Sequence, residues 1–357
     1  MTAAREIWIL GANGRCGRAV ATELAVRQHP LVLVGRDAGR MHDAANGIGG
    51  SARVVVAHSI GDVAGQIARS EAAVVVNTIG PFTRTALQIA RACPRGCHYV
   101  DIANELYAVI DLLGMHDEAV EAGRCLVTGA GFGLLATESV VLKLCEGAPR
   151  AASVRVDALP FVDNAGPIGE TVAATIVEGL PMGGRRYEND ALVRAKLGAD
   201  PERLALPDRS TMVTAAMPTG DLEAARRASG ASSAVAASSM APSAPLARLA
   251  MSAVAPLFAS RIVRDIARRR LARISVAPAA HKRDSWGHAR VQWSDGRVRE
   301  GWLRAGDAMA FTNAVTTAVA LRLAGNEGRP GAYTPGALFG PDLAVQAGGR
   351  FFIDQGA

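Results

Sequence analysis

The chain has 357 residues, of which 49% are hydrophobic and 20% are charged, and its formal net charge is +6. This length is enough for two domains, and the composition excludes an intrinsically disordered or fibrous protein. Apart from a cluster at 261–273 the positive charge is spread along the chain, and no zinc-finger spacing or aromatic RNA-binding motif accompanies it. We therefore expect small anionic molecules or an anionic surface as partners, and no nucleic acid.

Cysteine usage and the N-terminus predict a cytoplasmic protein. The five cysteines are an odd number and show no metal-like spacing with histidine, which favours reduced thiols and no metal site. The N-terminal residues run directly into a predicted strand, without the charged and apolar regions of a signal peptide. No uncharged segment supplies the roughly 20 apolar residues that a membrane-spanning helix needs.

Short apolar runs alternate with segments of helical period between residues 6 and 128. The apolar runs predict six strands buried on both faces, at 7–10, 31–34, 54–57, 74–76, 99–102 and 125–127. The segments between them predict helices that include 18–27, 60–69, 85–92 and 105–122. This alternation is typical of an α/β fold with a doubly wound parallel Rossmann sheet.

The pattern changes near residue 130. A helix is predicted at 136–146, a strand at 153–161 and a second helix from about Glu170. Residues 181–245 show no clear period, and the stretch 228–245 is predicted to be a mobile loop or lid. Farther on, 288–305 alternates on both sides of an Asp-Gly turn, which predicts an antiparallel hairpin, and a helix at 307–324 precedes a glycine- and proline-rich tail.

A glycine triplet stands between the first predicted strand and the helix that follows it. In this context the turn leaves backbone N–H groups at the positive end of a helix free to meet a pyrophosphate, although the glycines alone would also fit a purely structural turn. We therefore predict a dinucleotide site here. Its expected contacts are Gly11, Asn13, Gly14, Arg15, Cys16 and Gly17.

The end of the second predicted strand indicates which dinucleotide binds. Arg36 stands where NAD-binding proteins often carry an acidic residue, and a guanidinium suits the 2′-phosphate of NADP(H). Asp37 follows one position later. Asp62, after the third strand, is expected to face the adenine. The turn after the fourth strand is expected to pass the nicotinamide ribose, or to be a turn only, and its predicted contacts are Asn77, Thr78, Gly80 and Pro81.

Several short motifs resemble the saccharopine dehydrogenase-like oxidoreductase family. NTIGPF at 77–82 is similar to its V-N-x-x-G-P-(F/Y) turn, and YVDIANE at 99–105 to its Y-V-D-(L/I)-x-G-E strand end, with Asn104 in place of the glycine. The segment at 129–138 is similar to C-G-F-D-S-x-P-S-D of the branch that contains trans-acting enoyl reductases, with Gly133 in place of the aspartate and Ala136 in place of the proline. Segments at 166–174 and 331–340 also match that branch, in family order.

The resemblance implies a domain order and a function. It implies an NADP-binding Rossmann domain at 1–130, an inserted α+β substrate domain at 131–306, and a C-terminal helical segment at 307–357 that returns to the first domain. It also implies an NADPH-dependent reductase that transfers hydride to an activated C=C of a lipid, polyketide or related metabolite. A saccharopine- or imine-type C–N oxidoreductase and a non-catalytic NADP-binding protein remain alternatives. Basic side chains for a C–N substrate would be Arg185, Arg186, Arg194 and Lys196.

Candidate catalytic residues follow the fifth predicted strand. Asp101 and Glu105 bracket its end, where the nicotinamide is expected, and either is a candidate general acid. Alternatively, Asp101 is a structural cap and Glu105 an acidic residue in the first turn of a helix. Substrate contacts, drawn mainly from the resemblance, are Phe132, Glu170 and Thr171. His288 is expected to have no informative role.

One further segment, at 246–274, combines an apolar stretch interrupted by Pro256 with a helix bearing six arginines. It is expected either to lie on an anionic membrane surface or cover an acyl-chain channel, or to be a packing helix with a solvated basic face. A homodimer is a fair default for an enzyme of this kind.

Overall fold

The computed structural model describes residues 5–49, 52–163, 166–167, 177, 183–244, 258, 260–276 and 284–353. The chain divides into two compact units. The first consists of Met1–Ala103, Tyr107–Phe132 and Met309–Phe339, and the second of Asn104–Leu106, Gly133–Ala308 and Gly340–Ala357. The predicted C-terminal segment 307–357 is therefore divided, because 309–339 groups with the first unit and 340–357 with the second.

Strands and helices alternate through the first third of the chain. They are β1 (Ile7–Leu10), α1 (Arg15–Val26), β2 (Leu31–Gly35), α2 (Ala38–Gly47), β3 (Arg53–Val56), α3 (Ile60–Ala68), β4 (Val74–Asn77), α4 (Phe82–Ala92), β5 (His98–Asp101), α5 (Leu106–Leu113), α6 (His116–Glu121) and β6 (Cys125–Val127). The single helix predicted at 105–122 is wrong. The backbone leaves the helix after Leu113, at Gly114, and a second short helix follows.

The middle of the chain is rich in strands. Its elements are α7 (Phe132–Leu144), β7 (Ser153–Leu159), β8 (Gly166–Pro167), β9 (Gly184–Glu188), β10 (Ala191–Ala195), β11 (Glu202–Ala205), β12 (Thr211–Ala216), α8 (Asp221–Ser229), β13 (Ser233–Ser238), α9 (Arg261–Ala272), β14 (Ser275–Val276), β15 (Ser285–Gln292) and β16 (Val298–Ala305). The chain ends with α10 (Ala308–Ala324), β17 (Gly331–Tyr333), α11 (Pro335–Phe339), α12 (Asp342–Gln346) and β18 (Arg350–Ile353).

The sheet of the first unit has, among the described residues, seven strands in the order β17-β6-β5-β4-β1-β2-β3. All its pairings are parallel. Its core strands are apolar on both faces; β1 and the three valines of β4 are fully or nearly fully buried, as expected where helices cover both faces of a parallel sheet. The order 3-2-1-4-5-6 is that of the doubly wound dinucleotide-binding fold, so the predicted Rossmann sheet is confirmed.

The second unit contains a mixed sheet, for which nine strands are described. Its path is β10-β9-β13-β7-β15-β16-β18, and β12 joins it through β13 and carries β11. β13 and β7 pair in parallel, and the other pairings are antiparallel. The predicted hairpin at 288–305 is confirmed by β15 and β16. The loop or lid predicted at 228–245 is wrong, because β13 lies inside the sheet between β9 and β7.

A buried ionic network lies on one face of this mixed sheet. The imidazole of His288 is fully buried between Asp157 and Glu300, with Nδ1 and Nε2 each 2.8 Å from a carboxylate oxygen. Burial alone would lower the pKa of His288, but these two hydrogen bonds raise it above its ordinary value. Asp157 is also completely buried and forms an ion pair with Arg155 at 2.9 Å, so the network compensates the burial of its carboxylate.

Candidate functional site

The glycine turn lies between β1 and α1, at the carboxyl end of the parallel sheet. Gly11 has a φ of +77°, which favours glycine, and a Cβ atom on Gly17 would lie 2.9 Å from the Cα atom of Ala12 and closer still to the carbonyl oxygen of Gly11. Gly17 therefore lets the first turn of α1 pack directly on the turn. Close helix–strand packing is the usual role of the third glycine in a dinucleotide-binding turn.

The tip of the turn is open. Asn13, Gly14 and Arg15 are exposed, Gly14 is the N-cap of α1, and no side chain caps the helix or places a carboxylate in its first turn. The N–H of Gly14 donates to the carbonyl oxygen of Gly11 at 2.8 Å, and beyond it the uncapped positive end of the α1 dipole favours an anion. Burial raises the pKa of the Cys16 thiol to about 11, so this side chain is an unreactive part of the turn.

The end of β2 presents Arg36 to solvent. The guanidinium is exposed, and no carboxylate in the described ranges pairs with it. The neighbouring Asp37 is the N-cap of α2 and accepts a hydrogen bond of 3.0 Å from the backbone N–H of Arg40. Asp37 is therefore engaged in capping α2. Arg36 is the charged residue that remains available to a ligand at this strand end.

A cavity of about 460 Å³ lies between α1 and α2, beside the glycine turn. Asn13 contributes to its wall from the turn, and Arg18 and Arg40 contribute from the two helices. Arg18 also donates a hydrogen bond of 3.5 Å to the carbonyl oxygen of Asn13. The cavity is lined by two arginines and one aspartate, Asp43, so the net charge of its lining is positive.

Asp62 has a structural task in α3. Its carboxylate accepts hydrogen bonds from the backbone N–H groups of His58 and Ser59, at 3.2 and 3.1 Å, while the hydroxyl of Ser59 accepts one from the N–H of Asp62. This is a reciprocal capping box, which stabilises the start of a helix. The carboxylate of Asp62 would have to give up these hydrogen bonds to make the predicted contact with adenine.

The turn after β4 is held by internal hydrogen bonds. The fully buried amide of Asn77 donates to the hydroxyl of Tyr99 at 3.0 Å and accepts from the N–H of Ile79 at 3.0 Å. The hydroxyl of Thr78 donates to the carbonyl oxygen of Leu10 at the end of β1, at 2.7 Å. The Gly80–Pro81 peptide is cis, and Pro81 caps α4. Of the four predicted contacts, Asn77 therefore supports the turn from inside, while residues 78, 80 and 81 remain partly accessible.

Asp101 is completely buried at the end of β5. Its Oδ1 accepts hydrogen bonds from the N–H groups of Ala103 and Gly129 and from the hydroxyl of Thr128, at 2.9–3.0 Å, and its Oδ2 accepts one from the hydroxyl of Tyr99 at 2.9 Å. Burial raises the pKa of Asp101 to about 6, and these donors oppose the rise. With four donors and no exposed surface, the carboxylate ties the ends of β5 and β6 together. This geometry supports the structural alternative for Asp101 over the catalytic one.

Glu105 belongs to the second unit, with Asn104 and Leu106. It is 6% exposed, its Oε2 accepts a hydrogen bond of 3.1 Å from the N–H of Asn104, and its backbone bridges to Thr219. The carbonyl oxygen of Asn104 accepts a hydrogen bond of 2.8 Å from the N–H of Gly220. Glu105 is thus a nearly buried carboxyl on a segment whose backbone is fixed.

Asn104 and Gly133 are packed against each other. A Cβ atom on Gly133 would lie 2.7 Å from the Cγ atom and 2.8 Å from the Oδ1 atom of Asn104. These are two of the three positions at which the sequence departs from the family motifs, glycine to asparagine at 104 and aspartate to glycine at 133. The asparagine side chain fills the space beside the glycine, so the two departures compensate sterically. Its Oδ1 is buried and accepts no hydrogen bond from the described part of the chain.

Asp221 is a buried carboxyl that the sequence analysis missed. It accepts hydrogen bonds from the hydroxyls of Thr137 and Thr219, the latter at 2.9 Å, and burial raises its pKa to about 7. Thr219 is also the residue that bridges to Glu105. In the sequence, Asp221 belongs to the segment T-G-D at 219–221, just where α8 begins. Aspartate is common at helix starts, so this segment does not by itself indicate a buried carboxyl group.

The predicted substrate contacts are only partly described. Phe132 is 4% exposed, packs edge-to-face on Phe311 at a centroid distance of 6.2 Å, and donates from its N–H to the hydroxyl of Thr312 at 3.1 Å. This arrangement is typical of a core residue. Glu170 and Thr171 lie outside the described residues.

The basic residues proposed for a C–N substrate lie on the hairpin of β9 and β10. Arg186 forms ion pairs with Glu188 at 2.6 Å and Asp200 at 3.3 Å. Arg185 and Arg194 face each other across the two strands. Since Arg186 is already neutralised and neighbours Arg185 on the opposite face of a strand, the four basic residues do not form one convergent anion site.

Comparisons with known proteins agree with the fold and the motifs. No family model matches the chain. It is 27% identical over 146 residues to a trans-acting enoyl reductase of Mycobacterium leprae (strain TN), which covers 39% of this chain and 35% of that protein. It is 29% identical over 134 residues to a trans-acting enoyl reductase of Mycobacterium ulcerans (strain Agy99), covering 36% and 32%. The chain thus spans about a third of the length of these curated relatives.

The fold is similar to that of saccharopine dehydrogenase (L-Glu forming) from Saccharomyces cerevisiae. The TM-score is 0.59, the sequence identity is 11%, and the match covers 96% of both chains. The likeness extends over both units and concerns the fold alone. The chain is therefore similar in sequence to trans-acting enoyl reductases and in fold to a saccharopine dehydrogenase, which agrees with the resemblance that the motifs predict.

Proposed function

We propose that the chain is an NADPH-dependent reductase that transfers hydride to an activated C=C of a lipid, polyketide or related metabolite. The observation that carries this proposal is the open glycine turn at the start of α1, together with the exposed guanidinium of Arg36, which pairs with no carboxylate of the described residues. The similarity to proteins named trans-acting enoyl reductases supports the choice of a C=C bond.

The residues at this sheet edge fit NADP(H). Backbone N–H groups in the first turn of α1, after Gly14, would hold the pyrophosphate, because no side chain of the described residues caps that helix end. Arg36 would pair with the 2′-phosphate, and Arg40 and Arg18 add positive charge next to it. The partly accessible turn at 78–81 would pass the nicotinamide ribose. Bound NADPH supplies a hydride, and the protein must supply a proton.

The proton donor in this proposal is Glu105. Reduction of an α,β-unsaturated thioester adds hydride to the β-carbon and a proton to the α-carbon, and leaves NADP⁺ as the oxidised product. Glu105 is chosen because it is a nearly buried carboxyl group on a fixed backbone segment just after β5, where the sequence predicts the nicotinamide. Asp101 positions the strand ends and takes no part in proton transfer, since four hydrogen bonds occupy its carboxylate.

The test is turnover by the full chain with NADPH on two substrate panels, 2-enoyl thioesters and cyclic imines, with products identified by mass spectrometry. We expect enoyl thioesters to gain two hydrogens and imines to remain unchanged. Glu105→Gln should lower turnover by about 10²–10⁴-fold and leave NADPH binding intact, whereas Glu121→Gln, at an exposed position, should change neither. Turnover of imines alone would replace the proposal with C–N chemistry, and NADPH binding without turnover would indicate a non-catalytic protein.

A further inference from the structure

One face of α9 combines exposed aliphatic side chains with arginines. Ile262 and Ile266 are 71% and 52% exposed, and Ile274, two residues beyond the helix, is 51% exposed. Positions 262 and 266 are four residues apart, so the two isoleucines are neighbours on one ridge of the helix. A cluster of large aliphatic side chains in water is characteristic of an interaction surface.

Arginines continue the same face toward the C-terminal end of the helix. Arg269 and Arg273 follow Ile262 and Ile266 at the helical spacing i, i+4, i+7, i+11, and Arg270 extends the ridge of the isoleucines. All three arginines are exposed, and no carboxylate of the described residues pairs with them.

The other charged residues of the helix are engaged differently. Arg264 donates a hydrogen bond of 2.6 Å to the carbonyl oxygen of Phe258, and Arg268 lies 3.6 Å from Asp265, the one acidic residue of α9. The face of Ile262, Ile266, Arg269, Arg270, Arg273 and Ile274 therefore presents apolar groups and unneutralised positive charge together. We refer to it as the α9 face.

We propose that the α9 face docks on an anionic lipid bilayer. The three isoleucines would enter the boundary between head groups and acyl chains, and the three arginines would meet the lipid phosphates. The helix has 12 residues, about 18 Å, so it lies in the plane of the surface, and no helix of the described chain is long and apolar enough to cross a membrane. This inference concerns where the protein works and is independent of the reaction proposed above.

The complementarity of charge favours anionic lipid over a neutral partner. Each basic residue near an anionic surface adds roughly fivefold to the partition coefficient. Burying an exposed isoleucine adds roughly tenfold or more. An anionic interface accommodates both kinds of group at once, because arginine reaches the phosphates while its methylene groups stay in the apolar layer.

The experiment is flotation of the full chain with vesicles of phosphatidylcholine alone or of phosphatidylcholine with phosphatidylglycerol. We expect binding to the anionic vesicles only. The double variant Ile262→Ser/Ile266→Ser should weaken it by roughly a hundredfold. The triple variant Arg269→Gln/Arg270→Gln/Arg273→Gln should do so to a similar extent. NADPH binding and circular dichroism verify that each variant is folded.

Matched controls separate the α9 face from bulk properties of the protein. Val26→Ser removes an equally exposed aliphatic side chain, and Arg27→Gln/Arg203→Gln/Arg209→Gln removes the same charge from other exposed positions. Both controls should bind vesicles like the parent. Equal loss in the controls, equal binding to neutral vesicles, or no binding at all would overturn the proposal.

Discussion

Replacing Gly17 with alanine should weaken NADPH binding by at least about a hundredfold and lower the free energy of unfolding by about 1–3 kcal/mol. The added Cβ atom would lie 2.9 Å from the Cα atom of Ala12 and closer still to the carbonyl oxygen of Gly11. Both are backbone atoms of the turn and have no rotamer through which to move away. The turn must therefore open, which displaces the N–H groups that would hold the pyrophosphate. Nicotinamide fluorescence titration and denaturant unfolding measure the two effects.

Gly61→Ala is the matched control for this substitution. Gly61 is also in the first turn of a helix, but a Cβ atom there would have no neighbour closer than 3.6 Å, and alanine favours the helical backbone. We expect unchanged NADPH binding and slightly higher stability. If Gly17→Ala bound NADPH as well as this control, the glycine turn would not be the pyrophosphate site.

Gly133→Asp alone should lower the free energy of unfolding by about 1–3 kcal/mol, and the further change Asn104→Gly should restore most of it. The aspartate brings a Cβ atom to 2.7 Å from the Cγ atom of Asn104, and the glycine at 104 removes that clash. The double variant recreates the glycine and aspartate of the family motifs. Denaturant unfolding of the four proteins of the cycle gives the coupling energy, which should exceed about 1 kcal/mol.

Gly306→Asp provides the control for the added carboxylate. Gly306 is exposed and a Cβ atom there would meet nothing within 4 Å, so its stability change should stay within about 0.5 kcal/mol. Additive effects of Gly133→Asp and Asn104→Gly would contradict the steric coupling between the two positions.

Strands β1 to β6 of the first unit were predictable because each contains a short apolar run, whereas β17, with the sequence GAY, lies in a segment that the sequence predicts only as a glycine- and proline-rich tail. The mixed sheet was less predictable. β13 has the sequence SAVAAS, whose small side chains carry little of the alternation that marks a strand, yet its parallel pairing with β7 buries it. This strand forms because it pairs with residues about 80 positions earlier in the chain, and a local sequence pattern does not indicate such a distant pairing.

In the candidate site, too, some features could be predicted from the sequence and others could not. The glycine turn depends on local order, strand then turn then helix, and the sequence contains that order. By contrast, Asp37 and Asp62 precede or begin helices, where an aspartate suits a helix cap as well as a ligand contact, and only the hydrogen bonds distinguish the two. The role of Asp101 depends on donors at 128 and 129, and that of Asp221 on Thr137, all distant in sequence.

The most direct test of NADPH dependence is a parallel titration of the purified chain with NADPH and NADH, followed by nicotinamide fluorescence. We expect NADPH to bind at least about tenfold more tightly, and Arg36→Ala to remove that preference by weakening NADPH alone, because a charge-assisted pair with the 2′-phosphate contributes about 1.5–3 kcal/mol. Arg27→Ala, at an exposed position without a predicted ligand contact, should leave both affinities unchanged. Equal affinity for the two nucleotides, or no binding of either, would contradict NADPH dependence, and the second result would make the glycine turn purely structural.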